Sequence, residues 1–368
     1  MTNLRIPGPT PVPPSVLQSM TKQMVDHRGP AFAKVLNVAT ERLKEFFQTT
    51  GDVLIFPSSG TGAMEAAVVN TLSPSDRVLA VSIGAFGDRF AEIAATFGAD
   101  VVKLDFPWGT AADHRVIGDH LRKDPSIKAV LVTHNETSTG VTNDLESIAE
   151  VVRPHQALLI VDAISSIGAI DLPVDTWGCD VVVTGSQKSW MIPPGISIVS
   201  VSENAWKAHR RAKMPRYYWD FTAAKKYLEK GQTPYTPAVS LFYALDESLR
   251  LMDQEGHRNI IERHRRLGAF FRNGARELGL ELLASERYAS NIVTAIMVPP
   301  GIKVKDLRRI LREDHGVVVA AGQGALTENI FRVGHVGYVS KEDLEDVLES
   351  LKATLPRLGF HLATESRA

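Results

Sequence analysis

Cysteine is nearly absent from these 368 residues. The single Cys179 excludes an intrachain disulfide framework and any cysteine-rich zinc or iron–sulfur site. Neither sign of charge is in excess: 41 Lys+Arg oppose 42 Asp+Glu, a formal net of −1. That balance offers no bulk attraction to nucleic acid or to an anionic membrane surface. The local basic runs His209-Arg210-Arg211 and Arg263-His264-Arg265-Arg266 read as solvated helix faces. No apolar run approaches the roughly 18–20 residues that span a bilayer. Met1 to Thr10 lacks the basic-then-apolar order of a signal peptide, and Ser366-Arg367-Ala368 is not the Ser-Lys-Leu peroxisomal ending. The expectation is a soluble, cytoplasmic protein without nucleic-acid or membrane partners. What remains is the composition of an ordinary globular enzyme, 44% hydrophobic and 23% charged, in a length that suggests about two domains.

The opening segment Ile6–Pro14 holds five prolines in nine residues, so it is neither helix nor central strand. It reads as an extended arm laid on the body or on a partner subunit. From Val53 onward, short β-branched runs alternate with helical patterns. The strands are Val53–Phe56, Arg77–Ser82, Val101–Asp105, Ala129–Thr133, Ala157–Asp162, Asp180–Thr184 and Ile196–Ser200. Such continuous apolar runs fit strands buried on both faces of a parallel sheet. Helical spacing falls at Ala63–Leu72, Gly87–Phe97, Val116–Arg122 and Leu145–Val152. This alternation implies an α/β fold with right-handed crossovers. The last two strands are joined by only eleven residues with two prolines, too few for a helical crossover, so that pair is expected to be antiparallel. A long helical pattern, Ser240–Leu278, is interrupted at Gly256. Strands near Ile292–Val298, Val317–Ala320 and Ile330–Val333 and helices at Lys305–Arg312 and Lys341–Leu355 then make a smaller α+β unit. The division expected is an N-terminal arm (1–20), a large domain (21–250) and a small C-terminal domain (251–368).

Ligands of open parallel sheets bind beyond the carboxyl ends of the strands. Three features cluster there. Pro57-Ser-Ser-Gly-Thr-Gly62 leads into a helix whose unpaired N–H groups suit a phosphate, although Ser and Thr also cap helices without any ligand. Asp162 ends a buried strand and needs a cationic or hydrogen-bonding partner; a loop cap or metal ligand is the alternative, with no His or carboxylate cluster nearby to complete a metal site. Lys188 follows Val181-Val-Val-Thr-Gly-Ser-Gln and precedes Trp190-Met-Ile-Pro-Pro-Gly195. Lysines commonly coat surfaces, but this apolar setting would desolvate the amine and lower its pKa, as Schiff-base chemistry requires. Together the three meet the needs of pyridoxal 5′-phosphate: a phosphate cradle, an anion for the pyridinium nitrogen and an amine for the aldehyde.

These motifs, with the Pro-Gly-Pro arm, Ser59–Ala67, Thr133-His-Asn-Glu-Thr-Ser-Thr-Gly-Val141, Pro193-Pro-Gly195 and Arg332-Val-Gly-His335, resemble the class V aminotransferases, most closely the alanine–glyoxylate and serine–glyoxylate enzymes. The resemblance implies a fold-type I transferase: a large domain with a mostly parallel seven-stranded sheet flanked by helices, plus a smaller C-terminal α+β domain. It implies Lys188 as the Schiff-base lysine and Asp162 as the pyridinium partner. Ser59, Gly60, Thr61 and Gln187 fall at phosphate-cup positions. Thr137 falls near the cofactor's phenolic oxygen, Phe86 at the ring-stacking aromatic, and Arg332 at the clamp for the substrate α-carboxylate. Tyr235 or Thr236 would reach the neighbouring subunit's phosphate in a homodimer. The implied activity is a ping-pong transfer, through the Lys188 Schiff base, from alanine or serine to glyoxylate or pyruvate. Another class V activity on a phosphonate or purine-pathway donor is the alternative, and a non-transaminating cofactor-bound subunit a more distant one. Other conspicuous residues take plainer readings. Cys179 lacks the loop context of a persulfide-forming cysteine. His134 either orients the Thr137 loop or is a satisfied buried histidine. His27-Arg28 either touches the substrate mouth or begins a helix, and Trp108, Trp177 and Trp219 read as packing.

Overall fold

The computed structural model describes residues 2–363; Met1 and residues 364–368, with the terminal Ser366-Arg367-Ala368, lie outside the described residues. All seven expected strands form one sheet. Its order is Asp52–Phe56, Ser197–Val201, Val181–Gly185, Leu158–Asp162, Ala129–Thr133, Arg77–Ser82, Asp100–Asp105. Every neighbouring pair is parallel except the two that Ser197–Val201 makes, with Val181–Gly185 and with Asp52–Phe56. The short proline-bearing link therefore reverses the chain, as its length demands.

Strand side chains alternate between two cores. Val53, Ile55, Val130, Val132, Leu159, Val161 and Val182 face one; Leu54, Phe56, Leu131, Ile160, Val181 and Val183 face the other. Fully burying each such side chain is worth roughly 1.5–3 kcal/mol, which explains why these strands read as unbroken apolar runs. The helix Gly60–Thr71 is buried on almost every side, consistent with its small residues. Helices Pro30–Phe47, Glu203–His209 and Phe221–Leu228 add to those read from the sequence. Pro30–Phe47 did carry a signal, proline at its first turn and buried Phe32, Leu36, Ala39, Leu43 and Phe46 at helical spacing.

The long helical pattern breaks where glycine allows it. Val239–Glu255 ends at Gly256, whose φ of +86° suits no other residue as well, and His257–Glu277 begins directly after. The remaining chain folds around a three-stranded antiparallel sheet, ordered Val293–Met297, Ile330–Gly334, Ala320–Ala321. Phe271, Ile296, Leu307, Phe331, Val333 and Leu351 form its core. The run expected as one strand near Val317 divides between two partners: Val317–Val318 pairs with Asn3–Leu4 of the arm, and Ala320–Ala321 with Ile330–Gly334. The arm thus lies on the body of its own chain. Among the described residues no helix is long and apolar enough to cross a membrane.

Candidate active site

The six co-directed strands bring Phe56, Ser82, Thr133, Asp162 and Gly185 to one edge of the sheet. A cavity of about 230 Å³ opens there, and eight of the residues singled out from sequence line it: Ser59, Gly60, Thr61, Phe86, Thr137, Asp162, Gln187 and Lys188. A larger cavity of about 500 Å³, between Asp76, Lys128, Asp180 and Arg211, lies at the opposite, amino-terminal edge. The chemistry belongs to the first, because the carboxyl ends of the six co-directed strands converge there, with Asp162 and Lys188 on its wall.

Two helices begin at this cavity, and their N-termini are in different states. In Ala85–Thr96 the first N–H groups are satisfied: Ala85 N donates to Ser138 Oγ (3.0 Å), and Phe86 N and Gly87 N donate to Glu136 Oε2 (3.1 Å each). In Gly60–Thr71, the N-cap Ser59 makes no capping bond, and the amides of Gly60 and Thr61 have no partner among the described residues. The uncommitted N-terminus is the one ready for an anion. Close packing requires glycine here, since a Cβ on Gly60 would lie 2.5 Å from Ile164 Cδ1. Gln187 Oε1 is buried without a partner, and turning that amide over presents a donor in the same place.

Asp162 is 3% exposed; Oδ1 accepts from Ile164 N (2.9 Å) and Oδ2 from Thr133 Oγ1 (3.4 Å). Burial pushes its carboxyl up to about 7, with nearby Glu136 adding to the rise and the Ile164 amide and Lys188 opposing it. The Lys188 amine is pulled down to about 8, chiefly by burial and secondarily by Arg332. Its Nζ donates to Pro7 O at 2.7 Å. Thr137 leads out of the hairpin strand Asn135–Glu136, and its carbonyl accepts from Arg332 Nη1 at 2.8 Å.

Arg332 does not itself line the cavity. It stands behind Thr137, with Nε donating to Ala321 O (2.8 Å) and Nη1 also to Gln323 Oε1 (3.2 Å); Nη2 has no partner among the described residues. Burial lowers its pKa to about 10. Tyr235 and Thr236 lie elsewhere. Tyr235 stacks on Tyr218 (centroids 4.9 Å apart) beside the 78%-exposed Tyr217, and Thr236 is exposed. Arg28 is committed to Thr233 O, Pro234 O and Gln232 Oε1, so it anchors that same segment and lies away from the cavity. His134 is a satisfied buried histidine: Nδ1 pairs with Ser166 Oγ at 3.0 Å, and burial lowers its pKa to about 4. Cys179 is buried, its thiol pushed up by desolvation.

The structure adds residues that the sequence reading missed. Glu136, fully buried, holds the start of Ala85–Thr96 and, through Ser138 N at 3.1 Å, its own turn. It was visible as the one charge within a run of small polar residues. Arg89 lines the cavity with its guanidinium 4.9 Å from the Phe86 ring centroid. Its signal was helical spacing, three residues beyond Phe86. Gly8 and Pro9 of the arm complete the wall. No group of three or more His, Cys, Asp or Glu suited to a metal occurs among the described residues.

An open α/β sheet carrying a buried lysine, a buried aspartate and an open helix N-terminus around one cavity has the layout of the fold-type I pyridoxal-phosphate transferases. The family model "Aminotransferase class-V" matches residues 2–347. Serine–glyoxylate aminotransferase of Arabidopsis thaliana is 37% identical, over 97% of this chain and 91% of that protein. A Synechococcus sp. (strain PCC 6716) protein named soluble hydrogenase, small subunit, is 44% identical, over 97% of this chain and 94% of its own. The crystal structure of alanine–glyoxylate aminotransferase from Nostoc sp. superposes with a TM-score of 0.93 at 32% identity, covering 96% of this chain and 95% of that one. The chain belongs to the class V aminotransferases, and its cofactor is pyridoxal 5′-phosphate. The residues fit that group: the free amides of Gly60 and Thr61 suit its phosphate, and a carboxyl at about 7 is a group short of a cation.

Proposed function

We propose that this protein transfers an amino group from a small neutral amino acid, alanine or serine, to glyoxylate or pyruvate. The observation that carries the reading is the convergence of Lys188, Asp162 and the open amides of Gly60 and Thr61 on one small cavity, with Arg332 directly behind its wall. Bound pyridoxal phosphate supplies an electron sink for the Cα–H electron pair and a carbon that carries nitrogen between the two substrates. Ser59, Gly60, Thr61 and Gln187 would hold its phosphate, Asp162 its ring nitrogen, Thr137 its phenolic oxygen and Phe86 its ring face. Lys188 would hold the cofactor covalently and, when free, take the proton from the substrate Cα. An amine near 8 suits both directions of that transfer at neutral pH. Arg332 would bind the α-carboxylate through its uncommitted Nη2.

The assembly proposed is a homodimer in which Tyr235 or Thr236 serves the neighbouring subunit, which accounts for their position away from their own cavity. The domain division proposed is an arm to residue 20, a large domain to 250 and a small one beyond, with Gly256 close to the second boundary.

Asp162→Asn should weaken cofactor binding by roughly 10- to 100-fold, the worth of a hydrogen bond to a charged group. Its pH signature separates this role from a structural one. With a carboxyl near 7 in the folded apoprotein against an ordinary 3.8, the folded chain retains a proton that the unfolded chain has lost between about pH 4 and 7. Wild-type apoprotein therefore loses stability across that window as pH rises, whereas Asp162→Asn does not. Thermal melts should show the variant gaining on wild type from pH 4 to 7 without cofactor, and falling behind it with cofactor. Equal cofactor affinity in the two proteins would leave Asp162 a structural residue.

A specific observation favours a second reading. Arg89 places a cation in the cavity wall, as recognition of a dicarboxylic donor would need. A half-reaction screen decides between the two. Holoenzyme is mixed with alanine, serine, aspartate or glutamate, and loss of the visible cofactor band is followed. Alanine or serine should react fastest; a tenfold preference for aspartate or glutamate would overturn the neutral-donor reading.

A further inference from the structure

The N-terminal arm makes more contact with the lysine segment than covering it would require. Thr10 N donates to Gln187 O (3.1 Å), and Thr10 Oγ1 to Lys188 O (3.1 Å). Pro7 O accepts from Lys188 Nζ at 2.7 Å. Between them, Gly8 has a φ of +140°, and a Cβ there would lie 2.6, 2.7 and 2.8 Å from Lys188 Cδ, Cε and Nζ. On the other side, the arm is fixed to the C-terminal unit. Asn3–Leu4 pairs with Val317–Val318, and Gly334 N, two residues beyond Arg332, donates to Arg5 O at 2.7 Å. One short segment thus touches both the strand carrying Arg332 and the lysine.

A buried amine must hydrogen-bond, and the acceptor chosen affects what the amine can do. A carboxylate would fix it as an ammonium. A peptide carbonyl accepts from either protonation state and does not titrate, so it suits a lysine that must give and take protons. We propose that the Pro7 carbonyl, reached through the space that Gly8 leaves by having no Cβ, is the seat of the Lys188 amine whenever it is not joined to the cofactor. The arm is then a positioning element of the active site. This rests on the reading of Lys188 as the cofactor-holding lysine.

The test is Gly8→Ala in the full chain. The methyl would meet the flexible end of Lys188, so it displaces the amine first. Apoprotein is mixed with pyridoxal phosphate and the growth of the visible band is followed, with a thermal melt alongside. In the variant, band formation and kcat should both fall roughly 10- to 100-fold, the scale of a misplacement of about 1 Å. KM for the amino acid should stay within about twofold, and the melt should remain cooperative. A folded Gly8→Ala protein with wild-type band formation and kcat overturns the proposal. Should Gly8→Ala fail to fold because of its φ, Thr10→Val decides: it loosens the arm from Lys188 without straining the backbone. Slowed band formation supports the seat, and an unchanged rate overturns it. Lys188→Ala apoprotein is the control. If it still forms the band, the assignment of Lys188 itself fails; if it does not, while Gly8→Ala behaves as wild type, only the seat fails.

Discussion

Lys188→Ala is expected to abolish turnover, with a loss of at least about 10⁴-fold, the upper range for removing a proton-transfer group alone. It should also remove the borohydride-fixable attachment of cofactor. Among the described residues Lys188 is the one lysine on the cavity wall, so no neighbouring amine there stands ready to replace it. The variant should fold. Burial lowers the Lys188 pKa, so the folded state disfavours its charged form, and deleting the amine relieves a desolvation cost. The apoprotein is therefore expected to melt near the wild-type temperature, the relieved desolvation offsetting the hydrogen bond lost at Pro7 O. That separation of stability from activity distinguishes a chemical residue from a structural one. Peptide mapping after borohydride reduction checks the assignment: the adduct should fall on the peptide containing residue 188 in wild type and be absent from the variant. An adduct on another lysine in a variant that still turns over would overturn the role.

Arg332→Ala should lower kcat/KM by roughly one and a half to four decades, because losing a charge-assisted, desolvated contact costs about 2–5 kcal/mol. The loss should be similar for every donor, since the α-carboxylate is common to all of them. Arg332 has more structural work than Lys188, whose amine meets Pro7 O alone. Its Nε and Nη1 satisfy Ala321 O, Thr137 O and Gln323 Oε1, tying the C-terminal sheet to the hairpin that carries Thr137. Truncation strands those acceptors, so the melting temperature should fall as well. Arg332→Lys separates the two effects. It keeps the charge and loses the planar fork, and should recover part of kcat/KM with a raised KM. Measuring alanine, serine and aspartate on all three proteins checks the reading. A loss confined to one donor would show that Arg332 meets the side chain and leaves the α-carboxylate to another group.

The two roles differ in how they were legible. Lys188 and Asp162 announce themselves because each is a charged residue at or just beyond the end of an apolar strand, a local pattern that needs no knowledge of the fold. Arg332 carries no such signal; only its motif singles it out. Tyr235 and Thr236 were likewise drawn from motif alone, and the chain by itself does not bring them to the cavity.

The amino-acid sequence by itself determined the α/β architecture, all seven strands of the large sheet, the reversal at the proline-bearing link and the break at Gly256. These depend on short-range causes: period-two and period-3.6 burial, loop length and the φ that glycine permits. Tertiary structure alone decided which of two helix N-termini stays open. Glu136 fills one from 50 positions away through Phe86 N, while nothing among the described residues fills the other. It also decided that Arg89 faces the cavity, and that Pro7 meets an amine 181 positions distant. Such pairings are set by how packed layers stack rather than by any pattern along the chain. A periodicity shows which face of an element is buried, but not which polar group waits on the other side.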